Sequence, residues 1–410
     1  MVERRGEAMS LDALVLDAQL RQSLVTVRSL GRRRLTAGAV ATVDEAPTFA
    51  SRWCRARFVF PGEEGSSAYL AALLELLERT GARVLFSSHD GTIALLRAHR
   101  ACLERRVRLA LASESALTVA VNKERTLAVA RRLGLNIPPQ VVVGSPGEVP
   151  VALREVGLPA VVKPNESWLQ PEQHGSRVSS ALVVTPDEAR RAVEKVTELR
   201  GSVLFQRFLS GRREAVSVLY SNGEVYARFA QWALRTRPPL GGESVLRQSI
   251  AIPPDIGPQA ERLVREIGID GYSEVEFRRD SSRVPYLMEI NARLSASVGI
   301  AVRAGVDFPY LLYQWAAGER IDRVEGYRIG GWMRHLGGDI DTTISTLEER
   351  GRPGITPPLQ TVLAFGLTFL RPMAYDYFDW RDPRPAVRAS AEFSRDMMKR
   401  MGSRLRKALS

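Results

Sequence analysis

The first 115 residues alternate between short apolar runs and longer stretches in which apolar residues recur every three or four positions. The short runs are typical of buried strands, and the longer spacing is typical of amphipathic helices. The predicted strands are residues 12–18, 35–43, 82–88 and 107–113, and the predicted helices are residues 68–81 and 91–106. Strands that alternate with helices predict a doubly wound parallel α/β domain over residues 1–115. The first strand is not followed by G-x-G-x-x-G, so a dinucleotide site has no support.

After this domain the pattern changes to short strands that follow one another closely. A long helix is predicted over residues 114–133, ended by Gly134, and further helices over residues 186–199 and 258–268. Strands are predicted at residues 158–164, 178–184, 203–209, 214–220, 224–234 and 271–277, with a mobile loop at 238–244. The residues Ser221-Asn222-Gly223 predict a hairpin turn. We therefore predict an α+β arrangement with antiparallel sheets: a small subdomain (116–200), a central subdomain (201–324) and a helical C-terminal region (325–410).

The stretch "YLMEINARLSASVG" at residues 286–299 has polar side chains at every second position of a largely apolar strand. Since successive strand residues point to opposite faces, Leu287, Glu289, Asn291 and Arg293 are expected on one face. Met288 and Ile290 are then expected in the core. Carboxylate and amide oxygens suit Mg²⁺, and an arginine suits phosphate. The alternative is a sheet with one solvated polar face.

The turn "RRDSSR" at residues 278–283 predicts that the preceding strand pairs antiparallel with this one. Glu276 would then lie beside Glu289 and Asn291 and complete a cradle for Mg²⁺. Glu274 shares the strand face of Glu276, and we expect its replacement by glutamine to cost little. Phosphates bound to the metal would need positive charge, for which Lys163 and Lys123 are the candidates.

The chain carries a formal net charge of +12, with a sequence pI of about 10.1. Only five of its 58 basic residues are lysines, and the arginines are spread along the chain, which indicates codon bias more than a designed patch. No pattern of stacking aromatics accompanies the arginines, so we expect no nucleic-acid partner. Two cysteines and no signal-peptide pattern favour a reducing, cytoplasmic location.

The order of motifs resembles the ATP-grasp superfamily. The similar segments are "NKERT" (122–126), "LPAVVKP" (158–164), "FQRFLSGRRE" (205–214), "VEF" (275–277) and "MEINAR" (288–293). "AGVDFPYLLYQWAAGE" (304–319) resembles the helix that follows the metal strand in that superfamily, and the resemblance covers about residues 10 to 320. Within the superfamily the chain is most similar to carboxylate–amine ligases of the carbamoyl-phosphate-synthase-like type.

The resemblance implies roles for individual residues. The residues that match nucleotide-binding positions are Lys123, Lys163, Gln206, Phe208 and Glu214, and those that match metal ligands are Glu276, Glu289 and Asn291. Arg293 matches the arginine that steadies the transferred phosphate. The chain departs from the family at Gln206, where many members have glutamate, and in the phosphate-covering loop after Lys163, where only Gly175 is found.

What the resemblance implies is an ATP-dependent ligase that joins a small-molecule carboxylate to an amine through an acyl phosphate. ATP and Mg²⁺, or Mn²⁺ in its place, are the expected cofactors. Two alternatives are a kinase that stops at phosphoryl transfer and a degenerate ATP-binding module with a regulatory or assembly role.

The C-terminal tail has apolar residues at every fourth position, with arginines and lysines between them. These apolar residues are Phe393, Met397, Met401, Leu405 and Leu409. The spacing predicts an amphipathic basic helix. Such a helix either docks on its own domain, which we favour, or contacts an anionic membrane surface or a partner. A homo-oligomer stays open.

Overall fold

The computed structural model describes residues 10–169 and 176–409. The N-terminal domain is the predicted parallel sheet, with strand order β3-β2-β1-β4-β5. Its elements are β1 (Ala13–Val15), α1 (Arg21–Arg32), β2 (Ala37–Ala41), β3 (Cys54–Val59), α2 (Ser67–Thr80), β4 (Val84–Phe86), α3 (Asp90–Ala98), α4 (Arg100–Leu103) and β5 (Arg108–Leu109). The sequence patterns did not indicate α1, because its buried side includes polar residues such as Arg21 and Arg28. The predicted helix at 91–106 is divided at His99 into α3 and α4.

The long helix predicted over residues 114–133 is two helices, α5 (Glu114–Ala120) and α6 (Lys123–Arg132). Asn122 interrupts it, because its side-chain oxygen accepts a hydrogen bond of 3.0 Å from the backbone N–H of Arg125 and so caps α6. The break places Lys123 in the first turn of α6. Its backbone N–H donates to the carbonyl oxygen of Asn165 at 2.9 Å, which joins α6 to the small subdomain.

The small subdomain is a four-stranded antiparallel sheet of order β10-β7-β11-β6, with two helices on one face. Its elements are β6 (Gln140–Val143), α7 (Val149–Val156), β7 (Ala160–Pro164), β8 (Trp168–Leu169), β9 (Ser176–Arg177), β10 (Ala181–Val183), α8 (Pro186–Thr197) and β11 (Val203–Arg207). Val162, Val203 and Phe205 form the core with α7 and α8. Residues 170–175 of the predicted phosphate-covering loop, which include Gly175, lie outside the described residues.

The central sheet has seven strands in the order β16-β15-β12-β13-β14-β17-β18. Its strands and their helices are β12 (Arg213–Ser221), β13 (Glu224–Arg237), β14 (Glu243–Ile250), α9 (Gly257–Ile267), β15 (Gly271–Arg279), β16 (Pro285–Asn291), α10 (Val298–Ala304), α11 (Phe308–Ala317), β17 (Trp332–Arg334), α12 (Leu336–Glu348), α13 (Pro358–Leu367), β18 (Ala374–Tyr375) and α14 (Arg384–Leu409). The hairpin at Asn222 and Gly223 is confirmed, with φ values of 50° and 85°.

A β-bulge changes the expected faces of β16. Glu276 pairs with Glu289, whereas the next residue, Phe277, pairs with Leu287, so Met288 is the extra residue. The expectation for Leu287 and Met288 is therefore wrong: Leu287 is fully buried in the core, and Met288 is only half-buried and outside it. Ile290 is in the core as expected. Arg293 lies beyond the end of β16.

The C-terminal region is helical as expected, and it also adds β17 and β18 to the edge of the central sheet. Asp376, directly after β18, accepts hydrogen bonds from Arg21 of α1 at 2.8 Å and from Arg247 of β14 at 3.0 Å. All three side chains are buried. This charged network joins the N-terminal domain, the central sheet and the C-terminal segment into one packed unit.

The tail helix α14 docks on its own chain, the arrangement we favoured. The Phe393 ring packs against Gly337 at the start of α12, where a Cβ atom would approach the ring to 2.9 Å. Arg400 donates to Asp341 of α12 at 3.2 Å, and Arg395 pairs with Glu45. The side chains of Leu405 and Leu409 lie outside the described residues. Among the described helices, none has the length and apolar content needed to cross a bilayer.

Candidate active site

Two carboxylates and an amide lie side by side where β15 meets β16. Glu276 is the register partner of Glu289, and Glu274 is that of Asn291, so all four side chains leave the same face of the sheet. The amide nitrogen Nδ2 of Asn291 donates to Oε1 of Glu276 at 3.3 Å. The predicted grouping of Glu276, Glu289 and Asn291 therefore exists in the folded chain.

The two carboxylates differ in their electrostatic surroundings. Burial raises the pKa of Glu276 to about 7, and the charges of Glu289 and Glu274 act in the same direction. Burial also acts to raise the pKa of Glu289, but Lys123 and Lys163 more than offset it and hold that pKa below its ordinary value. Burial thus determines the direction of the pKa shift at Glu276, whereas the surrounding cations determine it at Glu289.

Lys123 and Lys163 approach Glu289 from two different elements. Lys123 is buried at the start of α6, and its Nζ donates to Oγ of Ser167 at 3.1 Å. Lys163 lies on β7, on the sheet face opposite to α7 and α8. Burial lowers the pKa of Lys163 to about 8, although the charge of Glu289 acts to raise it. Two ammonium groups at one end of a cleft provide counter-charge for an anion such as a polyphosphate.

Arg213 belongs to this site although the sequence patterns did not single it out. Its Nε donates to Oε2 of Glu276 at 2.9 Å, and its Nη2 donates to the same oxygen. Glu276 and Glu289 raise the pKa of Arg213 against the effect of burial. Arg213 and Glu276 are 63 positions apart and meet because β12 pairs with β15, so no local pattern could reveal this contact.

Glu214 is not part of the site, which corrects the expectation from the resemblance. On β12 its neighbour Ala215 pairs with Glu276, whereas Glu214 pairs with Phe277, a core residue. Glu214 therefore points to the opposite face of the sheet. There its carboxylate accepts from Arg279 Nε at 2.7 Å and forms an ion pair with Arg212.

Gln206 lies on β11, and Phe208 directly follows that strand. Gln206 pairs with Val161 on β7, so its side chain leaves the same sheet face as Lys163. It is fully buried, and its Nε2 donates to Oε1 of Gln140 at 2.8 Å. Its own Oε1 accepts no hydrogen bond from any described residue. A buried acceptor without a donor costs free energy, and an amino group of a ligand would satisfy it.

The Phe208 ring lies 5.6 Å from the Arg278 guanidinium and borders the segment that leads into α13. The backbone N–H of Phe208 donates to the carbonyl oxygen of Pro159 at 3.2 Å. Burial lowers the pKa of Arg278 to about 10, and Arg213 contributes to the shift. The loop predicted at 238–244 is held here, because the carbonyl oxygen of Leu240 accepts from Arg278 at 2.7 Å.

Arg293 lines a cavity of about 90 Å³ that extends from β16 to the N-terminal domain. Its Nε donates to Oδ1 of Asp90, at the start of α3, at 2.6 Å. Burial acts to lower the pKa of Arg293, but Asp90 and Glu289 raise it. Lys123, Glu289 and Asn291 line the same cavity. Of the predicted residues, these four are the ones gathered around one void.

Glu274 is not the tolerant position that we expected. It is almost completely buried, and its Oε2 accepts from four side chains: Ser217 at 3.3 Å, Gln231 at 2.9 Å, Ser295 at 3.0 Å and Ser297 at 3.1 Å. Strand alternation gives the face of this residue but not its partners. Glu274 fixes the segment after β16, so its replacement is no neutral control.

The donor set at Glu276, Glu289 and Asn291 fits a hard divalent cation. Mg²⁺ prefers carboxylate and amide oxygens and usually keeps one or two protein carboxylates. Burial raises the pKa of Glu276, and the charges of Glu289 and Glu274 act in the same direction; a divalent cation would offset both effects. A half-turn of the Asn291 amide would present its oxygen in place of Nδ2.

Comparison with known proteins supports this fold. Residues 201–330 match a family model described as ATP-grasp in the biosynthetic pathway with Ter operon. The D-alanine–D-alanine ligase of Geobacter sulfurreducens is 28% identical over 172 residues, which are 38% of this chain and 50% of that ligase. The match thus spans about half the length of this curated relative.

Solved structures extend the similarity to most of the chain. Biotin carboxylase from Campylobacter jejuni, solved as a β-γ-ATP complex, gives a TM-score of 0.63 at 16% identity over 80% of this chain and 75% of its own. The L-amino acid ligase from Bacillus licheniformis gives a TM-score of 0.56 at 19% identity over 74% of each chain. At such identities the likeness shows the fold. The chain therefore has the fold of these proteins, and its residues 201–330 are similar to an ATP-grasp family.

Proposed function

We propose that the protein is an ATP-dependent carboxylate–amine ligase, which forms an amide and releases ADP and phosphate. The observation that carries the proposal is the meeting of Glu276, Glu289 and Asn291 on one sheet with Lys123 and Lys163 from two other elements. This arrangement provides metal ligands and phosphate counter-charge in one cleft. D-alanine–D-alanine ligase and L-amino acid ligase, two of the similar proteins, carry names of the same reaction class.

ATP would lie between the four-stranded and seven-stranded sheets. Lys163 and Lys123 would contact its phosphates, and Gln206 with Phe208 would surround the adenine. The unsatisfied oxygen of Gln206 suits the adenine amino group, so glutamine can serve where many family members have glutamate. Mg²⁺, or Mn²⁺, would be held by Glu276, Glu289 and Asn291 and would neutralise charge on the phosphates.

In the proposed reaction a carboxylate oxygen of the first substrate bonds to the γ-phosphorus, and the bond from that phosphorus to the ADP oxygen breaks. An amine then attacks the carbonyl carbon of the acyl phosphate, loses a proton and displaces inorganic phosphate. Arg293 lies in the cavity beside Glu289, where it would stabilise the transferred phosphoryl group. The chain's contribution is positioning and electrostatics, as in other phosphoryl transfers.

The substrates are small molecules of the carboxylate and amine classes. We place the reaction in the cytoplasm, because the two cysteines are unpaired and lie apart in the sequence. We expect no nucleic-acid partner, since arginines such as Arg97, Arg228 and Arg279 form ion pairs with acidic neighbours.

The test measures ADP release by the purified protein against a panel of carboxylates, with and without a panel of amines. A ligase is expected to release ADP and form amide at a sustained rate only when both substrates are present. Sustained ADP release with a carboxylate alone, together with an isolable phosphorylated product, would identify a kinase instead. Binding of ATP with Mg²⁺ but no ADP release with any pair of substrates would favour the degenerate ATP-binding module.

A further inference from the structure

Helix α13 has its apolar side chains on the outside. Six large apolar residues of α13 and the three residues after it are exposed: Leu359 (74%), Val362 (53%), Leu363 (54%), Leu367 (59%), Phe369 (51%) and Leu370 (80%). The spacing of Leu359, Val362, Leu363, Leu367 and Leu370 is that of one helix face. We call these six residues the outer face of α13. An ordinary surface helix shows the opposite arrangement.

The inner side of α13 is held by polar contacts that fix its orientation. Thr361 and Thr368 are buried there, and Arg235 Nη2 donates to Oγ1 of Thr368 at 3.3 Å. The Arg334 guanidinium lies 4.5 Å from the centre of the Phe365 ring, and Arg334 and Arg235 both pair with Asp339. Because the polar side is anchored to a buried ion network, the helix cannot roll to hide its leucines without breaking that network.

The charge around α13 selects the kind of surface that would cover it. Residues 353–370 contain no charged side chain, and no acidic residue occurs between Glu349 and Asp376. Arg350 and Arg371 flank the uncharged stretch and are exposed, whereas Arg352 pairs with Glu188 at 3.0 Å. The last 61 residues contain twelve basic and five acidic residues, a net charge of +7 within the chain's total of +12. An exposed apolar patch bordered by positive charge is complementary to an anionic, partly apolar surface.

We propose that the outer face of α13 binds the surface of an anionic lipid bilayer. The ten-residue helix is about 15 Å long, half the thickness of a bilayer core, so it would lie in the interface and not cross it. Its leucines and Phe369 enter the boundary between headgroups and acyl chains, while the exposed Arg350 and Arg371 meet the headgroup phosphates. A second copy of the same face is a poorer occupant, because it would bring two C-terminal segments of net charge +7 together.

The experiment measures co-sedimentation of the full chain with phosphatidylcholine vesicles that contain or lack phosphatidylglycerol. Binding is expected to the anionic vesicles and to weaken with added salt, since the headgroup attraction is screened. The double variant Leu363→Ser, Leu370→Ser removes two exposed apolar side chains without changing the charge. It should lower the partition coefficient at least about tenfold, because each buried leucine side chain contributes that much. Unchanged binding of this variant would overturn the proposal.

The matched control is Val59→Ser, Ile329→Ser, which removes two exposed apolar residues outside α13 (47% and 61% exposed) and should bind like the parent. Circular dichroism of all variants checks the fold. Sedimentation velocity without lipid measures whether the chain forms a dimer. A dimer that dissociates in the α13 variant but not in the control would show that a second copy covers this face, and it would overturn the proposal. So would failure of the parent chain to bind either vesicle.

Discussion

Replacing Glu289 by glutamine tests the site through its most strongly surrounded carboxylate. The change keeps the shape of the side chain and removes one negative charge. In the structure that charge faces Lys123, Lys163, Arg213 and Arg293, which together hold the pKa of Glu289 below its ordinary value. Without it, the pKa of Lys163 should fall further below about 8, so part of the phosphate counter-charge is lost together with a metal ligand.

The expected result is a folded protein whose kcat falls by ~10²–10³, the cost of losing one positioned electrostatic group in a catalytic site. Turnover is measured as ADP release with the identified substrates, and circular dichroism checks the fold. The control is Glu224→Gln, because Glu224 is about half exposed at the turn between β12 and β13 and pairs only with exposed Arg323 among the described residues. A folded Glu289→Gln protein with the parent's turnover would mean that Glu289 is an ordinary polar residue of a strand face.

Further substitutions test the remaining assignments. Lys163→Ala should weaken ATP binding roughly 10–100-fold, as expected for loss of a charged hydrogen bond, and Lys163→Arg should restore the affinity only in part. Titration calorimetry measures both affinities. An alanine variant that binds ATP as tightly as the parent would remove Lys163 from the site. Glu214→Gln should leave the Kd for ATP unchanged, and a clear rise would restore the nucleotide-binding role that the resemblance implied and the sheet geometry argues against. Asp376→Asn should destabilise the fold by ~3–5 kcal/mol in denaturant titrations, because it leaves Arg21 and Arg247 buried beside a neutral amide. A loss below ~1 kcal/mol would contradict the stabilising role of this ion network. Burial lowers the pKa of His335 to about 3, so the buried imidazole stays neutral in the folded chain. The free energy of unfolding should therefore be highest above pH 6.5 and should fall by about 1.4 kcal/mol per pH unit as the pH drops toward 3. His335→Gln should flatten this slope.

The sequence correctly predicted which sheet face carries the metal-ligand candidates. It did not predict the faces of all the other residues of β16. Alternation correctly placed Glu289 and Asn291 on one face, and the turn at 278–283 correctly paired them with Glu276 and Glu274. It failed for Leu287, because one extra residue at Met288 shifts the register, and bulges leave no mark in the alternation of this strand. The break between α5 and α6 was readable, since asparagine is a common N-cap residue and Asn122 directly precedes Lys123.

Contacts between distant strands could not be predicted from local patterns. Arg213 and Glu214 are adjacent, and the resemblance favoured the glutamate, but only the pairing of β12 with β15 shows which of them faces Glu276. The four hydrogen bonds to Glu274 likewise come from three separate segments of the chain. The sequence of α13 would predict a buried helix, since "TVLAFGLTFL" has no polar residue except two threonines. Its outer face is nevertheless exposed.

The most direct test of the account measures ATP binding by the parent chain with Mg²⁺ and again after EDTA. Because the carboxylates and lysines meet in one cleft, ATP and Mg²⁺ together should stabilise the fold by ~2.7 kcal/mol at ~100 times the Kd, and EDTA should remove most of that gain. Thermal unfolding that ignores both ATP and the metal would contradict the assignment of this cleft as a nucleotide site, and with it the proposed ligase.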